Sequence, residues 1–244
     1  MVAVFDIGNT NIHIGLYIER ELVRKLIYPT HKRSILTKIG NSISRETVNG
    51  VAIASVVPAV TKKLVALCKK QKIKPLVVSP KLECGLKYSY RDPSTLGSDR
   101  IAAVVGALSR FKRDVITIDG GTAITIDVAR LGGYYLGGII CPGMNIMAES
   151  MHGTTAQLPR IAVREPGSLI GVSTDECMRS GVYNGTIAMI QGLIRAIKKQ
   201  VEGNFFCVAT GGSGRIMAEH VTDIAEYDEN LCLQGALEIY YKNV

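Results

Sequence analysis

Two short stretches carry the same chemical parts. "DIGNT" near the start offers Asp6, Gly8 and Thr10, and "DGGTA" half a chain later offers Asp119, Gly121 and Thr122. In each, a glycine permits a tight turn that points backbone N–H groups and a Thr hydroxyl the same way, and such a nest binds phosphate oxygens. A carboxylate beside a phosphate repels it unless a cation lies between them, so both turns imply a bound cation. Asp, Asn and Gly are also ordinary hairpin-turn residues, and one copy alone has that plainer reading. Two copies, each opening one half of the chain, favour a pair of turns that hold a polyphosphate.

A third stretch, "LGSDR", has no twin. It opens an apolar helical pattern, with Ser98 read as the N-cap and Asp99 and Arg100 in the first turn. An acid there complements the helix dipole and needs no further role. The functional reading makes Asp99 a general base, with Arg100 beside it for an anionic substrate group. In "VSTDE", Ser173 and Glu176 form a capping box, which leaves the Thr174 hydroxyl at a helix N-terminus where anions bind. "GGIICPG" and "TGGSG" suggest close backbone or ligand approach, the latter as a flat seat for an adenine ring. There is no Walker A loop and no GxGxxG after a strand.

These residues need a frame. Apolar alternation predicts strands at residues 2–6, 12–17 and 21–28, then a helix near residues 34–44, and strand, helix, strand and a strong helix from Ser98. The second half repeats the order, with a long helix over about 175–200 and a closing helix in "LQGALEIYYK". The expectation is α/β: two domains, 1–113 and 114–244, each βββαβαβα, with a cleft between them. In such sheets ligands sit outside the carboxyl ends of strands, where Asp6 and Asp119 fall.

The 244-residue chain has a net charge of +8 from 29 basic and 21 acidic residues. The basic residues are scattered, and there is no Trp, which argues against a dedicated nucleic-acid partner. None of the six cysteines lies in a CxxC pair, which points to a reduced, cytoplasmic setting without structural zinc. The longest apolar run is too short to span a bilayer.

Together, "DIGNT", "LGSDR" preceded by Tyr90 and Pro93, "DGGTA", "GGIICPG", "TTAQLP", "TGG" and "LCLQGAL" resemble the type III pantothenate kinases of the acetate and sugar kinase, Hsp70 and actin superfamily. The resemblance runs from Asp6 to about Gly235. It implies two ribonuclease-H-like domains and ATP-dependent phosphorylation of pantothenate, the first step to coenzyme A. By position, Asp6, Ile7, Gly8, Asn9, Thr10, Asn11, Ile12 and His13 would bind ATP, with Thr122 from the other turn. Asp99 would be the catalytic base. Tyr90, Gly97, Ser98, Asp99, Arg100 and Thr174 would hold pantothenate. Asp119 would bind a monovalent cation, potassium or ammonium, and Asp6 would serve magnesium through ATP. A homodimer is also implied. Where the family usually has Asn-Thr, this chain has Ser173-Thr174. Another small-molecule kinase of the superfamily and a non-catalytic accessory regulator are the rival readings.

Overall fold

The computed structural model describes residues 1–32, 39–40 and 48–244. The helix expected near residues 34–44 falls largely outside them. The first sheet is built from β1 (Val2–Ile7), β2 (Asn11–Ile18), β3 (Glu21–Pro29), β4 (Gly50–Ser55) and β5 (Pro75–Val77), in the order β3-β2-β1-β4-β5. β1 pairs antiparallel with β2 and parallel with β4, with Asp6 opposite His13 and Ile7 opposite Ile12. Phe5, Ile7, Ile12, Ile14 and Ile53 are fully or almost fully buried. Each such side chain is stabilised by about 1.5–3 kcal/mol through leaving water, which fixes the register that sets the β1–β2 turn. Helix α1 (Pro58–Lys70) starts at a proline and packs Leu64 and Cys68 into the same core.

A two-residue strand, β6 (Lys87–Tyr88), follows, then a 3-10 turn at Pro93–Thr95 and α2 (Ser98–Phe111). The second sheet adds β7 (Val115–Gly120), β8 (Ala123–Arg130), β9 (Tyr134–Pro142), β10 (Phe206–Thr210) and β11 (Glu226–Tyr227), in the order β11-β10-β7-β8-β9-β6. Apart from β6, this repeats the order of the first sheet. β6 was not expected from the sequence. It joins parallel to the edge of β9, with Tyr88 opposite Tyr135. The remaining helices are α3 (Met144–Thr154), α4 (Thr174–Gln200), α5 (Gly214–His220) and α6 (Leu231–Lys242).

The chain clusters into two compact units. One comprises residues 1–115, 127–137 and 230–244, and the other residues 116–126 and 138–229. The closing helix α6, counted with the second half from sequence, thus belongs to the first unit, where it packs on α2, β1 and β4. The contact with α2 is glycine on glycine. A Cβ at Gly235 would overlap the Ala102 carbonyl oxygen, and one at Gly106 would overlap that of Leu231. Two helices approach this closely only where no side chain intervenes. Among the described residues no helix is long and apolar enough to cross a membrane.

Candidate active site

At the start of α2 the sequence "LGSDR" is explained residue by residue. Gly97, not Ser98, is the N-cap, and no side chain caps the helix. The serine is buried instead: its hydroxyl donates to the Ser55 carbonyl at 2.8 Å and accepts from the Ser55 N–H at 2.6 Å. Ser98 therefore ties α2 to the end of β4, and its hydroxyl is not available as a cap. A side chain at Gly97 would overlap the Asp99 carboxylate, so glycine makes room for that group. Oδ1 of Asp99 accepts the Arg100 N–H at 2.8 Å. Burial raises the Asp99 pKa, the Arg100 N–H offsets part of this, and the charge of Asp127 adds to it.

Arg100 is only 6% exposed. Its Nε and Nη2 both donate to Oδ1 of Asp127, at 2.9 and 2.7 Å. Burial alone would lower the guanidinium pKa, but the hydrogen bonds and charge of Asp127 outweigh it and the net shift is upward. Nearby Tyr90 adds to this upward shift. β6 sets that tyrosine in place, with its ring edge-on to Tyr135 at 6.0 Å. Sequence reasoning missed both Asp127 and Tyr135.

The "DIGNT" turn closes through Gly8 N–H to the Asn11 carbonyl at 2.9 Å. Thr30, just beyond β3 and buried, braces it: its hydroxyl donates to the Gly8 carbonyl at 2.7 Å and its N–H to the Thr10 carbonyl at 2.9 Å. Asn9, Thr10 and Asn11 are exposed, whereas Ile7 and Ile12 bury their side chains, so those two offer a ligand only backbone. Thr30 is a third residue that sequence reasoning missed.

The "DGGTA" turn lies in the other unit and has a matching brace. Gly121 N–H donates to the Ala123 carbonyl at 3.1 Å, and Gly143 N–H to the Thr122 carbonyl at 3.1 Å. A side chain at Gly143 would overlap the Gly121 and Thr122 carbonyls. This is where the close approach read from "GGIICPG" occurs. Around Gly137, by contrast, there is open space. The "TGGSG" turn packs on the same site. Gly211, at φ +79°, lies where a Cβ would overlap the Asp119 carboxylate, and Ser213 N–H donates to the Gly120 carbonyl at 2.8 Å.

Thr174 is the first residue of α4 and is exposed. Ser173 caps that helix, accepting the Glu176 N–H at 3.3 Å. Glu176 closes the return bond on the N–H of Val172, one residue earlier than the capping box predicts. Among the described residues no three His, Cys, Asp or Glu side chains are placed to hold a metal ion. Any cation at the Asp119 turn would therefore rely on one carboxylate plus backbone, hydroxyl and ligand oxygens, which suits hard cations such as potassium and magnesium. Gly121 and Gly211 lie against the Asp119 carboxylate, and the small space they take fits such a group.

Solved structures share this architecture. A structure described as a Baf family transcriptional activator from Campylobacter jejuni matches with a TM-score of 0.63 and 21% identity, covering 97% of this chain and 96% of its own. A ROK family glucokinase from Streptomyces griseus, in complex with glucose and AMPPNP, matches with a TM-score of 0.60 and 12% identity over 99% of each chain. A ROK hexokinase from Thermus thermophilus matches at 0.51 and 12% over 98% of each chain. The fold is that of the actin-like kinases, built from two ribonuclease-H-like domains. The sequence profile described as type III pantothenate kinase matches residues 2–196. With most of its length matched, from the first turn through the long helix α4, the chain belongs to the type III pantothenate kinase family.

Proposed function

We propose that the chain transfers the γ-phosphoryl group of ATP to the primary hydroxyl of pantothenate, giving 4′-phosphopantothenate. The observation that carries this reading is the start of α2. There a carboxylate with a raised pKa sits beside a fixed guanidinium, an arrangement that the shared Asp-Gly-Thr turns do not require. Asp99 accepts the hydroxyl proton as the oxygen attacks phosphorus. Arg100, Tyr90, Gly97 and Thr174 hold the acid substrate, and Ser98, whose hydroxyl is engaged by Ser55, contributes backbone only. The "DIGNT" backbone, with Asp6 on the magnesium side, and Thr122 hold ATP. Phosphoryl transfer is mainly positioning and charge neutralisation, and bound cations supply the second of these.

The test is turnover of ATP against a panel of pantothenate, glucose, N-acetylmannosamine and acetate. Pantothenate alone should support turnover. Preference for a sugar would replace the proposal with another small-molecule kinase, and no turnover with any acceptor would favour an accessory role. With Asp119 as a monovalent-cation ligand, activity should rise with added potassium and be lost in sodium-only buffer. Turnover indifferent to potassium would remove Asp119 from that role. By the same family reading the protein works in the cytoplasm as a homodimer. Sedimentation checks the second point.

A further inference from the structure

Behind Arg100 lies a buried polar group that phosphoryl transfer does not itself require. Asp127 of β8 is 1% exposed and Tyr135 of β9 is 0% exposed. The Tyr135 hydroxyl donates to Oδ1 of Asp127 at 2.5 Å, the same oxygen that takes Nε and Nη2 of Arg100. A buried ion pair is a costly way to fill a core, because well-packed apolar residues stabilise as much or more. The twin position in the first sheet shows the alternative. Five residues after Thr122 stands Asp127, whereas five residues after Thr10 stands Gly15. The repeated turn does not need this acid. Like "LGSDR", it occurs in one half only.

We propose that Asp127 and Tyr135 are positioning residues that lock the Arg100 guanidinium in one plane, so that it selects a planar carboxylate on the substrate. Arg presents its donors in a rigid fork. With Nε–H and an Nη2–H committed to one oxygen, and that oxygen pinned by Tyr135, the fork keeps a single rotamer. The Tyr90 ring stands edge-on to Tyr135 at 6.0 Å, so the lock extends to a second substrate residue. The charge of Asp127 offsets much of the Arg100 charge. Discrimination therefore comes from geometry, meaning in-plane donors for two carboxylate oxygens, more than from net attraction. A neutral amide in place of the carboxylate gains little from that geometry.

This inference rests on the substrate reading above, and two readouts separate them. The first is steady-state kinetics of Asp127→Asn and Tyr135→Phe with pantothenate and with a neutral pantothenamide. Loss of a preorganised charged contact should raise KM for pantothenate about 10–100-fold in Asp127→Asn and about 3–10-fold in Tyr135→Phe, with KM for ATP unmoved and kcat within about threefold. The pantothenamide constants should move less than about twofold. Equal losses on both acceptors, or a kcat loss with KM unchanged, would overturn the proposal. Tyr135→Phe keeps the ion pair and covers the case in which Asp127→Asn does not fold.

The second readout needs no turnover. The ¹⁵N-labelled protein should show a slowly exchanging Arg100 Nε–H resonance, assigned by its loss in Arg100→Lys. That resonance should exchange faster in Tyr135→Phe and faster still in Asp127→Asn. If wild-type protein ignores pantothenate while this pattern holds, the substrate reading falls and the lock stands. A rapidly exchanging Arg100 resonance in wild type, or no change in either variant, sinks the lock itself.

Discussion

Asp99→Asn is expected to lower kcat by about 10²–10⁴ while leaving KM for ATP within about twofold, the range that general-base removal usually shows. An ordinary surface carboxylate, with a pKa near 3.9, is a weak base at neutral pH. Burial at the start of α2 raises the Asp99 pKa, which makes it a better proton acceptor, while the Arg100 N–H keeps its oxygen oriented. The acidic limb of the kcat/KM profile should therefore lie above the usual carboxylate range. Activity should be lost as pH falls through that raised value.

The same shift has a consequence for stability. A group whose pKa is raised by folding stabilises the fold when protonated, below its unfolded pKa, and that contribution is lost as pH rises through the folded value. At neutral pH the ionised Asp99 thus works against the fold. The Asn variant, which retains an oxygen to accept the Arg100 N–H, should melt no lower than wild type and gain relative to it as pH rises. Loss of turnover together with loss of melting temperature would mean a structural role. Near-wild-type turnover would remove Asp99 as the base.

Gly235→Ala should be the most damaging small substitution in the scaffold. Its Cβ would overlap the Ala102 carbonyl and crowd the Gly106 backbone. Backbone cannot rotate away as a side chain can, so α6 and α2 must separate. The expected cost is about 3 kcal/mol or more, at the upper end for overpacking. For a chain of this size that is a fall in Tm of roughly 6–12 °C. The contact also sits close to the proposed base, since Cys232 of α6 lies with its sulfur 3.9 Å from the Asp99 carbonyl oxygen. Activity should therefore fall before the protein unfolds. Gly181→Ala is the control: nothing lies within 4 Å of its would-be Cβ, and it is in the interior of α4. It should stabilise by about 0.4–1 kcal/mol through helix propensity. Equal melting of the two variants would contradict the close crossing.

The strands that carry Asp6 and Asp119 were legible because apolar alternation and glycine turns are local signals, and the shared strand order of the two sheets follows from that repetition. β6 escaped because two residues carry no periodicity, and its pairing with β9 depends on residues nearly fifty positions away. Ser98 has the residue type of a cap, but its hydroxyl is claimed by Ser55, forty-three positions earlier. The placement of α6 was hidden for the same reason, since nothing in its own residues names α2 as its neighbour. Thr30, Asp127 and Tyr135 lie outside any motif. An Asp in the middle of "ITIDVA" was the one available sign, as strand interiors seldom keep a charge without a partner. The partner, Arg100, could be named only once the fold had brought the two together.

The most direct measurement is the product itself. Protein incubated with pantothenate, magnesium, ATP and potassium should yield 4′-phosphopantothenate and ADP in equal amounts by mass spectrometry, and Asp99→Asn protein should yield about a hundredth of that or less over the same time. ADP without phosphopantothenate, or equal product from both proteins, would contradict the account.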